Sequence, residues 1–148
     1  MADAKEVEGL GRIDQVGFVV RDLDATCARY QSIYGPWKRA ESPLTGVCYR
    51  GTPTDVHLQL AFGHAGELEM EFISVVSGTS PHSEFLADGR EGLHHLRYPV
   101  ASCDSAVAAL EAQGFTPIWF HAIGPYKWAY CEPPHRDGPL IELLESPH

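Results

Sequence analysis

Apolar and polar positions along this chain alternate in two different rhythms. From Ile13 to Val20 the period is two, the mark of a strand with unlike faces. Asp14, Val16, Phe18 and Val20 share one face; Ile13, Gln15, Gly17 and Val19 share the other. Asp22 then offers a helix N-cap, and Leu23, Cys27, Tyr30 and Tyr34 make one helical stripe that Gly35-Pro36 ends. Residues 37–50 predict two short strands around a turn at Pro43–Gly46. Val56–Phe62 and Glu67–Val75 predict a hairpin joined by Gly63-His64-Ala65-Gly66. In its second strand Glu67, Glu69 and Glu71 share a face opposite Leu68, Met70 and Phe72. Residues 77–92 read as a linker holding about one turn of helix near Phe85-Leu86.

The pattern then restarts. Leu93–Val100 predicts a strand, and Ser102–Gln113 a helix with Cys103, Val107 and Leu110 on its stripe and Gly114 at its end. Phe115–Phe120, Trp128–Glu132 and Leu140–Glu145 follow as strands, with a loop at 122–126 and a turn at 133–138. Placing Gln15 on His95, an offset of 80, puts Val20 on Val100 and Asp24 on Asp104, with the two helical stripes in register. Met70-Glu71-Phe72-Ile73 falls on Ile141-Glu142-Leu143-Leu144 at an offset of 71, the loops absorbing the difference. The economical reading is an α+β fold: a single domain over 1–148 made of two tandem βαβββ modules, 12–76 and 92–146. Each module then forms a curved sheet with its helix outside, and the two sheets enclose a cleft. Strand parity turns Gln15, Glu71, His95, Arg97 and Glu142 into that cleft.

Composition narrows the partners. The 148 residues are 44% hydrophobic and 21% charged, an ordinary globular balance, with 11 basic against 20 acidic side chains for a net charge of −9. Such a surface repels phosphate backbones and anionic lipid, so nucleic-acid and membrane partners are not expected and a small-molecule ligand is. No apolar run reaches bilayer length, and Met1-Ala2-Asp3-Ala4-Lys5-Glu6 lacks the apolar centre of a signal peptide. Cys27, Cys48, Cys103 and Cys131 form no Cys-x-x-Cys pair, which points to free thiols in a reducing, cytoplasmic setting.

The candidate chemistry lies in the cleft. Two carboxylates, one imidazole and one amide oxygen suit a divalent ion such as Zn²⁺, Ni²⁺, Co²⁺, Mn²⁺ or Fe²⁺, and two carboxylates balance its charge. Each residue also has a plain structural reading: Gln15 as a partner for buried backbone, the alternating glutamates as a solvated face, one of the paired histidines on the surface, Arg97 as a counter-ion to Glu69 or Glu71. Glu142 is the exception, because Pro139-Leu140-Ile141-Glu142-Leu143-Leu144 surrounds it with apolar neighbours where an unpaired carboxylate is costly. His121, Tyr126, Lys127 and Trp128 fall on or beside the loop edging the cleft and are candidates for substrate contact.

The stretches IDQVGFVVRDLD, ELEMEF, EGLHHLRYPV and GPLIELLE resemble the vicinal oxygen chelate superfamily, which includes glyoxalase I, methylmalonyl-CoA epimerase, extradiol dioxygenases and bleomycin-resistance proteins. The resemblance runs from about Ile13 to Glu145, and His82-Ser83-Glu84-Phe85-Leu86 is most similar to the epimerase branch. It implies metal ligands at Gln15, Glu71, His95 and Glu142, a set like that of animal-type glyoxalase I on an epimerase-like frame. It further implies a metal-dependent isomerase, epimerase or lyase that deprotonates carbon beside a metal-bound carbonyl through an enolate. Glu142 is then the first choice of base, Glu71 its partner, and Arg97 a clamp for a substrate anion. The strand that often carries an acidic base in epimerases holds His57 and Gln59 here, both candidate substrate contacts, and no Asp or Glu between 56 and 62. That argues against methylmalonyl-CoA, and Val19, where glyoxalase I has a glutathione-binding arginine, argues against glutathione. The alternative is a metal-free drug-binding protein of the bleomycin-resistance type. An iron-dependent extradiol dioxygenase is disfavoured by Gln15 in place of a second histidine. Family members close the cleft within one chain or across a homodimer.

Overall fold

The computed structural model describes residues 10–135 and 138–147. The arm expected before residue 10 and two positions of the turn expected at 133–138 lie outside the described residues. Eight strands, β1 (Gln15–Val19), β2 (Lys38–Tyr49), β3 (Thr52–Ala65), β4 (Leu68–Gly78), β5 (Gly92–Val100), β6 (Thr116–Ile123), β7 (Tyr126–Glu132) and β8 (Leu140–Glu145), form one closed barrel. Its order is β1-β4-β3-β2-β6-β7-β8-β5, so the strands of each half follow the same order. β1 pairs parallel with β4 and β5 parallel with β8; the halves join antiparallel through β1–β5 and β2–β6. The two curved sheets therefore enclose the expected space, closed as one barrel interior.

The two seams are unequal. β1 pairs with β5 along its whole length, whereas β2 meets β6 only at Cys48↔Phe120 and Tyr49↔Trp119. Side chains reinforce the short seam. Arg50, at φ 48°, reaches Glu84 at 2.9 Å and Glu132 at 3.1 Å, and the Tyr49 hydroxyl donates to Glu84.

Three of the described helices cover the outer face, and the helix between the halves turns His82 and Phe85 toward the barrel interior. Asp22 caps α1 (Leu23–Arg29) by accepting from the Ala25 amide at 3.0 Å. The single helix expected to run to Tyr34 breaks at Tyr30 into a second short piece, α2 (Gln31–Tyr34). Tyr30 and Tyr34 both turn onto Phe72, and the Trp37 indole donates to the Cys27 carbonyl at 3.0 Å, satisfying the helix end. The linker holds a full seven-residue helix, α3 (Pro81–Ala87), longer than the one turn expected. Ser80-Pro81 starts it as N-cap and first helical residue, with Ser83 completing a capping box. α4 (Cys103–Glu111), capped by Ser102, packs Cys103, Ala106 and Leu110 on Ala129, Cys131 and Leu143. β2 is one long strand, not two short ones. Gly46, at φ 67°, bulges it between Leu44 and Val47 without ending the pairing with β3. Among the described residues no helix is long and apolar enough to cross a membrane.

Candidate active site

The site is built where β1 and β5 meet, with β4 and β8 on either side. On β1 the inward positions Gln15, Gly17 and Val19 are all buried. The β1–β5 register jumps from Gly17↔His95 to Phe18↔Leu93, leaving His94 as a bulged residue. That bulge is why two adjacent histidines are both buried, at 2% and 0% exposure, and neither is a surface residue.

His95 is the hub. Its Nε2 lies 3.2 Å from Glu71 Oε1, 3.2 Å from Glu142 Oε1 and 3.3 Å from Gln15 Oε1. Gly17 makes room for the ring: a Cβ there would sit 2.0 Å from His95 Cε1. Neighbouring side chains fix which atoms face inward. The Gln15 amide nitrogen donates to Glu69 at 2.7 Å, so its carbonyl oxygen turns to His95. On the far side, His94 Nε2 donates to the Pro81 carbonyl at 3.4 Å, which leaves His94 Nδ1 as an acceptor for His95 Nδ1–H at 3.0 Å. A neutral His95 then presents a bare Nε2 lone pair to three oxygens.

That arrangement asks for a positive centre. One nitrogen cannot satisfy three oxygens, and although Glu142 Oε1 is within 3.2 Å of it, that oxygen is buried without a hydrogen-bond partner. Donors held about 2.1 Å from a common ion stand roughly 3.0–3.5 Å from one another, so spacings to Nε2 of 3.2–3.3 Å fit a shared cation. Among the described residues no group of three or more His, Cys, Asp and Glu side chains is arranged to hold a metal ion as it stands. The donor set is open on its cavity side. The carboxylates also favour a proton on His95 itself. Burial works against charge on His95, yet Glu142 and Glu71 outweigh it and raise the imidazole above its ordinary value. Burial pushes the Glu142 carboxyl up to about 7, with His95 pulling down and Glu71 pushing up.

The donors open into a cavity of about 270 Å³. Leu44, Leu58, Leu60, Phe62, Ile73 and Trp119 supply most of its wall; His121 and Trp128 line it as well, stacked on each other at 5.8 Å. Arg97 lines the cavity but does not present a free charge. Its Nε and Nη2 reach the two Asp14 oxygens at 2.9 and 3.1 Å, so the expected clamp for a substrate anion is already engaged. His57 and Gln59 are corrected outright. On β3 the apolar alternates Leu58, Leu60 and Phe62 face inward, which by parity turns His57 and Gln59 outside, where they hold Glu41 at 2.8 and 3.2 Å. Tyr126 is also no wall residue: it sits 41% exposed at the end of the β6–β7 hairpin, stacked on Trp128.

The wall residues that sequence reasoning missed include His82, Trp119 and Tyr130. His82 is wholly buried on α3 and meets the Tyr130 hydroxyl at 3.0 Å and Ser80 Oγ at 3.1 Å. The Ser-Pro helix start was legible, and it would have put His82 and Phe85 on one buried face.

Comparison with known proteins agrees with this architecture. Residues 14–130 match the family described as the Glyoxalase/Bleomycin resistance protein/Dioxygenase superfamily, and the chain belongs to that superfamily. It is 25% identical over 139 residues to the uncharacterized protein YqjC of Bacillus subtilis (strain 168), covering 92% of this chain and 93% of that one. Among solved structures it is similar to hypothetical protein BH1468 from Bacillus halodurans C-125, with TM-score 0.64, 21% identity, and 93% and 95% of the two chains covered. It is likewise similar to methylmalonyl-CoA epimerase from Mycobacterium tuberculosis, with TM-score 0.62, 21% identity, and 100% and 94% covered. These structural likenesses show the shared fold.

Proposed function

We propose that this protein is a metal-dependent isomerase, epimerase or lyase that removes a proton from carbon beside a carbonyl group. The observation that carries the reading is the convergence of Gln15, Glu71 and Glu142 oxygens on a single buried nitrogen of His95. Gln15, Glu71, His95 and Glu142 would hold a divalent ion: Zn²⁺, Ni²⁺, Co²⁺, Mn²⁺ or Fe²⁺. When bound, the ion polarises the substrate carbonyl and stabilises the negative charge that develops as the neighbouring C–H is broken. Glu142 takes the proton, its carboxyl lining the cavity beside His95 with one oxygen lacking a hydrogen-bond partner. Glu71 lies against the same imidazole and stands as its partner for return of the proton on the other side. The apolar wall excludes water from the reacting carbon. The four cysteines, all free thiols, accord with a cytoplasmic setting.

The test has two arms. Protein purified without chelator is analysed for metal and titrated with Zn²⁺, Ni²⁺ and Co²⁺; near-stoichiometric binding is expected. A panel of small carbonyl compounds is then incubated in D₂O with the loaded protein and with Glu142→Gln. Loss of α-hydrogen exchange in the variant supports the assignment, and unchanged exchange removes Glu142 as the base. A second reading, metal-free capture of a drug-like ligand, draws on the apolar wall and the His121–Trp128 stack. Tight ligand binding with no metal taken up would favour it.

A further inference from the structure

A second polar feature of the cavity wall adjoins the four-residue centre, with the Tyr130 ring 5.0 Å from that of His95. Trp119 is 6% exposed and lines the cavity, yet its Nε1–H has no hydrogen-bond partner among the described residues. An indole N–H can only donate, so a buried one without an acceptor is costly. Tyr130 packs on Trp119 with ring centroids 4.7 Å apart and also lines the cavity.

The hydrogen-bond chain behind Tyr130 determines what its hydroxyl can do. Ser80 Oγ, as N-cap of α3, already accepts from the His82 and Ser83 amides at 3.2 Å each. With both lone pairs engaged, Ser80 Oγ gives its own proton to His82 Nδ1 at 3.1 Å. His82, kept neutral by complete burial, then carries its proton on Nε2 and donates it to Tyr130 Oη at 3.0 Å. Tyr130 therefore accepts from behind, and its own O–H is left over. Among the described residues no other hydrogen bond to Tyr130 takes that proton.

We propose that Trp119 Nε1–H and Tyr130 Oη–H form a two-donor subsite for a neutral, proton-free oxygen of the substrate, with His82 positioning the phenol. The substrate is then a compact, largely apolar carbonyl compound. An anionic head group fits poorly, because Arg97, the only Lys or Arg among the described lining residues, is spent on Asp14 while Glu71 and Glu142 add negative charge. A cavity of about 270 Å³ with this wall takes a phenyl-sized body. The proposal rests on the reading of the cavity as the substrate site and not on the cation.

The experiment uses the full chain, treated with chelator, and two probes of like shape: acetophenone, which carries a carbonyl, and ethylbenzene, which does not. Binding is followed by amide and indole chemical shifts, with the Trp119 indole resonance assigned by its loss in Trp119→Phe. Acetophenone is expected to move that resonance and to bind about five-fold or more tighter than ethylbenzene, a preference that Tyr130→Phe reduces. Nitrogen shifts of His82 are expected to report the Nε2–H form, a readout that a merely structural histidine would not require. Equal binding of the two probes, no binding of either, a stationary indole resonance at saturation, or an Nδ1–H His82 would each overturn the proposal. Failure of zinc binding would sink the cation reading while leaving these outcomes untouched, so the two can fail separately.

Discussion

Gly17→Ala adds one methyl group where the barrel has no space for it. The new Cβ would lie 2.0 Å from His95 Cε1 and 2.2 Å from Nε2, against 3.4 Å for ordinary contact. Relief requires a displacement of roughly 1.4 Å, either of the imidazole or of β1 from β5, in a close-packed wall. Overpacking of this kind costs about 1–3 kcal/mol of stability. If the four side chains hold an ion, its affinity should fall by a comparable free energy, on the order of 100-fold or about 2.8 kcal/mol, because Nε2 sits only 3.2–3.3 Å from its three oxygens. Urea unfolding measures the first quantity, and competition with a chromophoric zinc chelator the second. Gly11→Ala is the control, since nothing lies within 4 Å of a Cβ at that position. A Gly17→Ala protein that binds zinc with wild-type affinity and unfolds at the wild-type midpoint would show that the close approach of β1 to His95 does not set the site.

Other expectations follow from the same structure. Zinc at a free concentration about 100 times its Kd should stabilise the wild type by about 2.7 kcal/mol, seen as a raised Tm, and Glu71→Gln should lose most of that gain. His82 is neutral when folded, its pKa pushed by burial from 6.5 down to about 3, so unfolding takes up a proton below pH 6.5 and stability falls as the pH drops through that value. Between pH 7 and 5 this costs about 2 kcal/mol. His82→Leu should therefore narrow its stability deficit by about that amount at pH 5, and a deficit equal at both pH values would contradict the burial argument. His57→Ala, outside the barrel, should leave acetophenone affinity unchanged by shift titration, whereas a several-fold loss would put His57 back in the wall. Leu143→Ala, at a wholly buried position, should cost about 2–5 kcal/mol in urea unfolding.

The fold was legible because two rhythms repeat. Strand parity, with the repeat, put Gln15, Glu71, His95 and Glu142 on inward faces, and in the structure the three oxygens lie 3.2–3.3 Å from His95 Nε2. Parity was also what should have excluded His57 and Gln59, whose apolar alternates Leu58 and Leu60 claim the inner face. What the pattern could not carry were features made by long-range partners. The Arg97 fork meets Asp14 across the strand pair, and the bulge at His94 depends on the β1 register. Break and bulge positions such as Tyr30 and Gly46 likewise follow from tertiary contacts that override local periodicity. α3 was under-read because its apolar content is small, although its Ser80-Pro81 start was present.

The closure of the barrel has a consequence for assembly. Each half offers one strand to the fully paired seam, β1 or β5, and one to the two-pair seam, β2 or β6, and the segment 79–91 with α3 ties the halves covalently. Two molecules that trade halves would satisfy the same edges twice and rebuild two complete barrels. In such an exchanged pair each centre would draw Gln15 and Glu71 from one polypeptide and His95 and Glu142 from the other. A mixture of a Gln15-disabled chain and a His95-disabled chain could then regain one intact centre.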